Sequence, residues 1–98
     1  MFEIIQSTTF ALWMKGLRDR RAVARINARL RRVSLGNFGD AKPVGGGISE
    51  LRIPHGPGYR VYFFREGQAV IVSLCGGDKG TQRRDIARAE ALMGDWRT

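Results

Sequence analysis

Cysteine and histidine are almost missing from this chain, which has one of each, Cys75 and His55. A single thiol excludes an internal disulfide framework and a cysteine-built zinc site, and a single imidazole excludes His-rich metal chemistry. No metal or cofactor is expected. Long apolar runs are also lacking. The longest, Ala69 to Cys75 and including Ser73, falls far short of the ~20 residues a membrane helix needs. Met1-Phe2-Glu3 sets no basic residue ahead of the apolar ones, so no secretory signal is read there and the cytoplasm is the expected compartment. Acidic residues are scarce, 9 against 17 basic ones, which leaves a formal charge of +8. Lysine is scarce too, at Lys15, Lys42 and Lys79; the other 14 basic residues are arginine.

That balance is informative. Arginine's planar fork matches phosphate in a bidentate way, and a strong positive field on a small surface draws polyanions. A nucleic-acid partner is the leading reading, with an acidic protein partner second and a GC-rich coding bias as the explanation without functional content. The 98 residues, 43% of them hydrophobic, are enough for one domain, residues 1–98, with a modest core.

Met1 to Gln6, β-branched at Ile4 and Ile5, predicts a short first strand. Ser7 suits a helix N-cap, and Phe10, Trp13, Met14 and Leu17 recur at helical spacing, so a first helix ends near Gly16. Asp19 is the next N-cap, opening a helix from about Arg20 to Leu35 that Gly36 closes. Its core stripe is Val23, Ile26, Leu30 and Val33. Arg21, Arg25, Arg29 and Arg32 lie about a quarter-turn or more away. This basic ridge either is simply solvated or docks on phosphates or acidic side chains.

Gly36 to Gly47 holds five glycines and few apolar residues and is expected to be a connector. Ile48–Ile53, Tyr59–Phe64 and Ala69–Cys75 read as three strands, with turns at His55-Gly56-Pro57-Gly58 and Arg65-Glu66-Gly67-Gln68. Asp78 or Thr81 then caps a last helix on which Ile86, Ala89, Met93 and Trp96 share a face. The expected order is β-α-α-β-β-β-α. This is an α+β domain, its sheet antiparallel with helices packed over it.

Strand alternation sorts the candidate residues. Arg60, Tyr62 and Phe64 point one way and Tyr59, Val61 and Phe63 the other, while Glu50 and Arg52 oppose Leu51 and Ile53. If Arg52 and Arg60 share a face, they either form a salt bridge with Glu50 or accept a phosphate backbone, with Tyr62 stacking on a base. The segment Gly76-Gly77-Asp78-Lys79-Gly80-Thr81-Gln82-Arg83-Arg84 leaves a strand and enters a helix. It is either an ordinary glycine turn before a capped helix or an anion site made of backbone amides, Lys79, Arg83 and Arg84. It lacks the spacing of a nucleotide P-loop.

No Ser-His-Asp set or carboxylate cluster is visible, but metal-free RNA cleavage needs less. The ribose 2′-OH is the nucleophile, and cationic groups bear the phosphorane charge. Crowding by arginines shifts a lysine toward proton transfer, which singles out Lys79. His55 reads as an exposed turn residue, Cys75 as a small core residue, and Trp13 and Trp96 as packing residues, with Trp96 alternatively open to a partner.

The runs Ile48-Ser49-Glu50-Leu51-Arg52-Ile53, Gly56-Pro57-Gly58-Tyr59-Arg60-Val61-Tyr62-Phe63 and Gly76-Gly77-Asp78-Lys79-Gly80-Thr81-Gln82 resemble the RelE/HigB-like toxins of bacterial type II toxin–antitoxin modules. The likeness is greatest to the branch labelled phage-derived addiction-module killer proteins, and it extends from Phe10 to Ala89. The resemblance implies a RelE/ParE-like fold and an mRNA endoribonuclease (mRNA interferase) that commonly cuts on the translating ribosome, inhibits translation and arrests growth. It also implies neutralisation by a cognate antitoxin, often a helix-turn-helix protein.

In such toxins the strand arginine stabilises phosphate, a role that falls to Arg60. The loop cation corresponds to Lys79, and the basic position on the preceding strand to Arg52. The expected catalytic set is therefore Arg60, Lys79 and Arg52. Tyr62, Gln82, Arg83 and Arg84 are expected to contact RNA, with Arg21, Arg25, Arg29 and Arg32 docking on ribosomal RNA or antitoxin. Many relatives carry a tyrosine or histidine near the C-terminus, whereas this chain has no Tyr after Tyr62 and no His after His55. ParE-like relatives share the fold yet poison DNA gyrase without cutting RNA, so a gyrase inhibitor and a non-toxic basic adaptor remain as alternatives.

Overall fold

The structure is a computed structural model that describes residues 1–98. Strand β1 (Glu3–Gln6) leads into α1 (Thr8–Gly16), where the Ser7 hydroxyl accepts from Phe10 N–H at 3.0 Å. Helix α2 (Arg20–Ser34) starts on Asp19, whose carboxylate accepts from the Arg21 and Ala22 amides, and closes at Gly36 with φ +91°. Both caps are the residues expected. Four strands follow: β2 (Ala41–Gly45), β3 (Ile48–Ile53), β4 (Tyr59–Glu66) and β5 (Val70–Asp78). A 3-10 turn (Lys79–Thr81) capped by Asp78 runs directly into α3 (Gln82–Arg97).

Two corrections follow from one unexpected strand. The glycine-rich connector contains β2, which pairs antiparallel with β3 through Lys42↔Glu50 and Pro43↔Ser49. Its sequence, Ala-Lys-Pro-Val-Gly, hides it, because proline is tolerated only on an edge strand with its nitrogen turned away from the ladder. Strand order is β1-β5-β4-β3-β2. The α1–α2 pair thus carries the chain from one sheet edge to the other, and a four-strand meander brings it back. With three strands in the meander the last would oppose β1; with four it runs parallel to β1, as Ile4↔Ile71 and Ile5↔Val72 show. The sheet is therefore mixed, not antiparallel throughout.

Helices also cover both faces rather than one. On the first face, Phe10 of α1 and Ile26, Leu30 and Val33 of α2 pack with Leu51, Ile53, Val61, Phe63 and Ile71. On the second, Ala89 of α3 packs with Ile48, Tyr62, Phe64, Val72, Leu74 and Cys75. A bulge opposite Tyr62/Phe63 shifts the alternation of β5, so that Leu74 and Cys75 both join the α3 side. Burial, and secondarily the Asp85 carboxylate, pushes the Cys75 thiol up to about 11. This is a core thiol, not a reactive one.

Glycine at 76 is dictated by packing. A Cβ there would sit 2.3 Å from the Trp13 ring, which also meets Tyr59 and Phe10 at centroid distances of 6.1 and 5.8 Å. Gly76→Ala is expected to cost about 1–3 kcal/mol through overpacking. Urea denaturation should show that loss, and a Trp13→Leu background should recover part of it.

Candidate nucleic-acid interface

The α3 face of the sheet assembles the polar residues singled out by the sequence. Register pairs Glu50 with Tyr62 and Arg52 with Arg60 across β3 and β4. The shared face that strand alternation left open is therefore real. Glu50 lies at its centre with no solvent exposure. Its Oε1 accepts from Arg52 Nε at 3.1 Å and lies 3.6 Å from Arg60 Nε, while Oε2 accepts from Tyr62 OH at 3.0 Å and Gln82 Nε2 at 2.7 Å. Burial by itself would raise this carboxyl. The donors Gln82, Arg52 and Tyr62, with the charge of Arg60, outweigh burial and hold it below its ordinary value.

Arg52 is thus bridged to Glu50, as the structural reading held, and its Nη1 also lies 3.9 Å from Asp40. Arg60 is less well satisfied. Its side chain is 12% exposed, its Nε lacks a hydrogen-bond partner, and its Nη1 reaches only the Gly58 and Tyr59 carbonyls, at 3.4 and 3.5 Å. A guanidinium with donors to spare suits an anion.

Lys79 joins it there. A Cβ built on Gly58 would meet Lys79 Cβ at 3.4 Å and Arg60 Nη1 at 3.6 Å. The Pro57-Gly58 turn, with Gly58 at φ +81°, therefore sits between the two cations and lets both approach. Lys79 itself is exposed. Gly76 and Gly77 lie within β5 rather than in a turn after it, and neither they nor Gly80 has positive φ. Gly77 gives room for Asp85, whose Oδ2 would lie 1.8 Å from a Cβ. Buried Asp85 accepts from the Thr81 hydroxyl and pairs with Arg84 Nε at 3.5 Å.

Three expectations, two of them RNA contacts, need correction. Tyr62 is fully buried beneath α3, so it cannot stack on a base; burial, then its bond to Glu50, pushes its hydroxyl up. Arg29 does not belong to a solvent-facing ridge. Its guanidinium turns inward and donates to the carbonyls of Arg52, Phe38 and Asp40, tying α2 to β3 and to the start of β2. His55 is not a free turn residue either. Its Nε2 lies 2.9 Å from Asp19 Oδ2, and that bond, followed by the Ala22 amide, lowers the Asp19 carboxyl.

Arg83 and Arg84 are exposed on the first turn of α3, whereas the Gln82 side chain is taken up by Glu50. Arg21, Arg25 and Arg32 are exposed on α2, which covers the opposite face of the sheet from Arg52 and Arg60. They form a separate basic surface. Arg25 and Arg32 flank an open depression of about 260 Å³ that ends on Ile53 and Pro54. The sequence reading had assigned no role to Lys42. The Lys42↔Glu50 pairing sets it on the α3 face, a placement hidden by the same unrecognised strand.

Glu50→Gln is expected to lower stability at neutral pH by about 1.5–3 kcal/mol, the worth of charged hydrogen bonds lost. A carboxyl depressed in the folded state stabilises above its unfolded value, near 4.5, and that stability goes as pH falls through the folded value. Wild-type melting temperature should therefore drop on acidification below about 4.5, and the Gln variant should lack that part of the drop.

No helix is long and apolar enough to cross a membrane. No family model matches the chain. An uncharacterized protein of Haemophilus influenzae is 49% identical to it over 90 residues, spanning 92% of this chain and 91% of the relative. The chain therefore belongs to one family with that Haemophilus influenzae protein.

Proposed function

We propose that this chain is the toxin of a type II toxin–antitoxin module, a RelE/HigB-like endoribonuclease that cleaves mRNA without a metal. The observation that carries this reading is the cationic cluster on the α3 face. Arg52 and Arg60 oppose each other across β3–β4 over a buried carboxylate, and Lys79 flanks Arg60 around Gly58. Arg52 positions the scissile phosphate. Arg60, whose donors are incompletely used, and Lys79 take the charge that grows on the phosphorane.

The 2′-oxygen attacks phosphorus, the bond to the 5′-oxygen breaks, and a 2′,3′-cyclic phosphate and a 5′-hydroxyl result. The 2′-OH loses a proton and the departing 5′-oxygen gains one. Lys79, exposed and in no ion pair, is the group available to protonate the departing 5′-oxygen, and the 2′-OH proton passes to solvent, since Glu50 is fully engaged as an acceptor. Arg83 and Arg84 hold flanking RNA, and the α2 surface docks on ribosomal RNA or on a helix-turn-helix antitoxin.

One observation favours a second reading, a ParE-like inhibitor of DNA gyrase. With Tyr62 buried and His55 held by Asp19, the face offers neither an aromatic platform for a base nor a histidine for proton transfer.

Expression without the antitoxin is expected to halt growth and to yield transcripts cut within codons, mapped by primer extension. Arg60→Ala or Lys79→Ala should abolish cutting, a loss of at least ~100-fold for removal of a transition-state donor, while the protein stays folded. Growth arrest with intact mRNA and blocked supercoiling would favour gyrase instead.

A further inference from the structure

Helix α3 packs over β4 and β5, and the β3–β2 half of that face is covered only in part: Ile48 and Glu50 are buried there, whereas Lys42 is exposed. Gln82 reaches Glu50 on β3, and Glu90 approaches Gly46 in the β2–β3 turn. The flank of α3 carrying Gln82, Ile86 and Glu90 therefore overhangs this half. Along it runs an open trough of about 480 Å³, lined by these residues with Arg83 and Ala87. On the sheet beside α3, Lys42 stands opposite Glu50 and diagonal to Arg52. Val44, two residues on, packs into the α3-side core, which confirms the facing. Lys42 is exposed and makes no ion pair, because both Glu50 oxygens are taken by other donors.

We infer that Lys42 extends the phosphate-binding site across β2, so that a single-stranded polynucleotide lies diagonally across this face from Lys79 and Arg60 past Arg52 to Lys42. Directly opposed residues such as Arg60 and Arg52 have Cβ atoms ~5 Å apart, and diagonal ones such as Arg52 and Lys42 lie ~7–8 Å apart. The cations thus form a continuous track rather than isolated charges. The acidic groups beside it are Asp40, which lies 3.9 Å from Arg52, and Glu90 on α3. This track rests on the proposed RNA-directed function, but it is a statement about binding and is tested without cleavage.

The test uses a fluorescently labelled 2′-O-methyl oligonucleotide, which lacks the nucleophilic hydroxyl, and measures anisotropy over a salt titration. Each phosphate contact on a single strand contributes about 0.7 to the slope of log affinity against log salt. Lys42→Ala is expected to weaken binding and to reduce that slope by about 0.7. Lys15→Ala, at an exposed position of α1 across the sheet from Lys42, should leave it unchanged. Equal slopes for Lys42→Ala and wild type, an equal drop in Lys15→Ala, or no wild-type binding would overturn the inference. A Lys42-dependent slope in a protein that cuts no RNA would uphold the track and sink the nuclease reading.

Discussion

A carboxylate buried in the middle of a strand is the feature around which this molecule is organised. Glu50 has no exposure to water and sits among Arg52, Arg60, Tyr62 and Gln82. Removing such a charge from water costs several kcal/mol, and only a full set of donors offsets that cost. The set here comes from three elements: β3 supplies Arg52, β4 supplies Arg60 and Tyr62, and α3 supplies Gln82. Closing the acceptor therefore sets both the position of α3 over the sheet and the direction in which two guanidiniums point. Arg29 works from the other side of the sheet. By holding the carbonyls of Arg52, Phe38 and Asp40, it fixes the backbone from which Arg52 projects.

Stability and the proposed chemistry draw on the same residues in unequal measure. Arg52 is bonded well enough to be read as structural, whereas Arg60 is placed by the same carboxylate yet left with donors unfilled. Lys79 has no internal partner at all. A gradient from satisfied to unsatisfied cations along one face is what a polyanion site requires, since the unsatisfied groups gain most from an incoming phosphate. The burial of Tyr62 removes the stacking surface that a base would use, so in the proposed function the contacts on this face fall to phosphate and ribose rather than to the bases.

The two basic surfaces divide the chain's positive charge. One lies on the α3 face; the other, built from Arg21, Arg25 and Arg32, lies on α2 across the sheet. A small domain with cations on both faces has room for two polyanionic or acidic partners at once. A nuclease working within a larger ribonucleoprotein would make use of that arrangement, as would a toxin held by an acidic segment of an antitoxin.

Local signals were legible wherever short-range chemistry decides structure. Ser7 and Asp19 cap their helices because a side-chain oxygen beside free amides needs no tertiary partner, and Ile48–Ile53 and Tyr59–Phe64 alternate because one pleat separates two environments. The face shared by Arg60 and Tyr62 followed from that alternation alone. What required the folded chain was everything set by pairing over distance. Strand β2 carries no propensity of its own and exists because β3 offers an edge; with it came the parallel β1–β5 pair and the placement of Lys42. The burial of Tyr62, the inward turn of Arg29 and the His55–Asp19 bond likewise depend on which elements arrive opposite them. Residue order governs a helix cap through a few neighbouring atoms, whereas it governs a buried charge only through the whole set of contacts that closes around it.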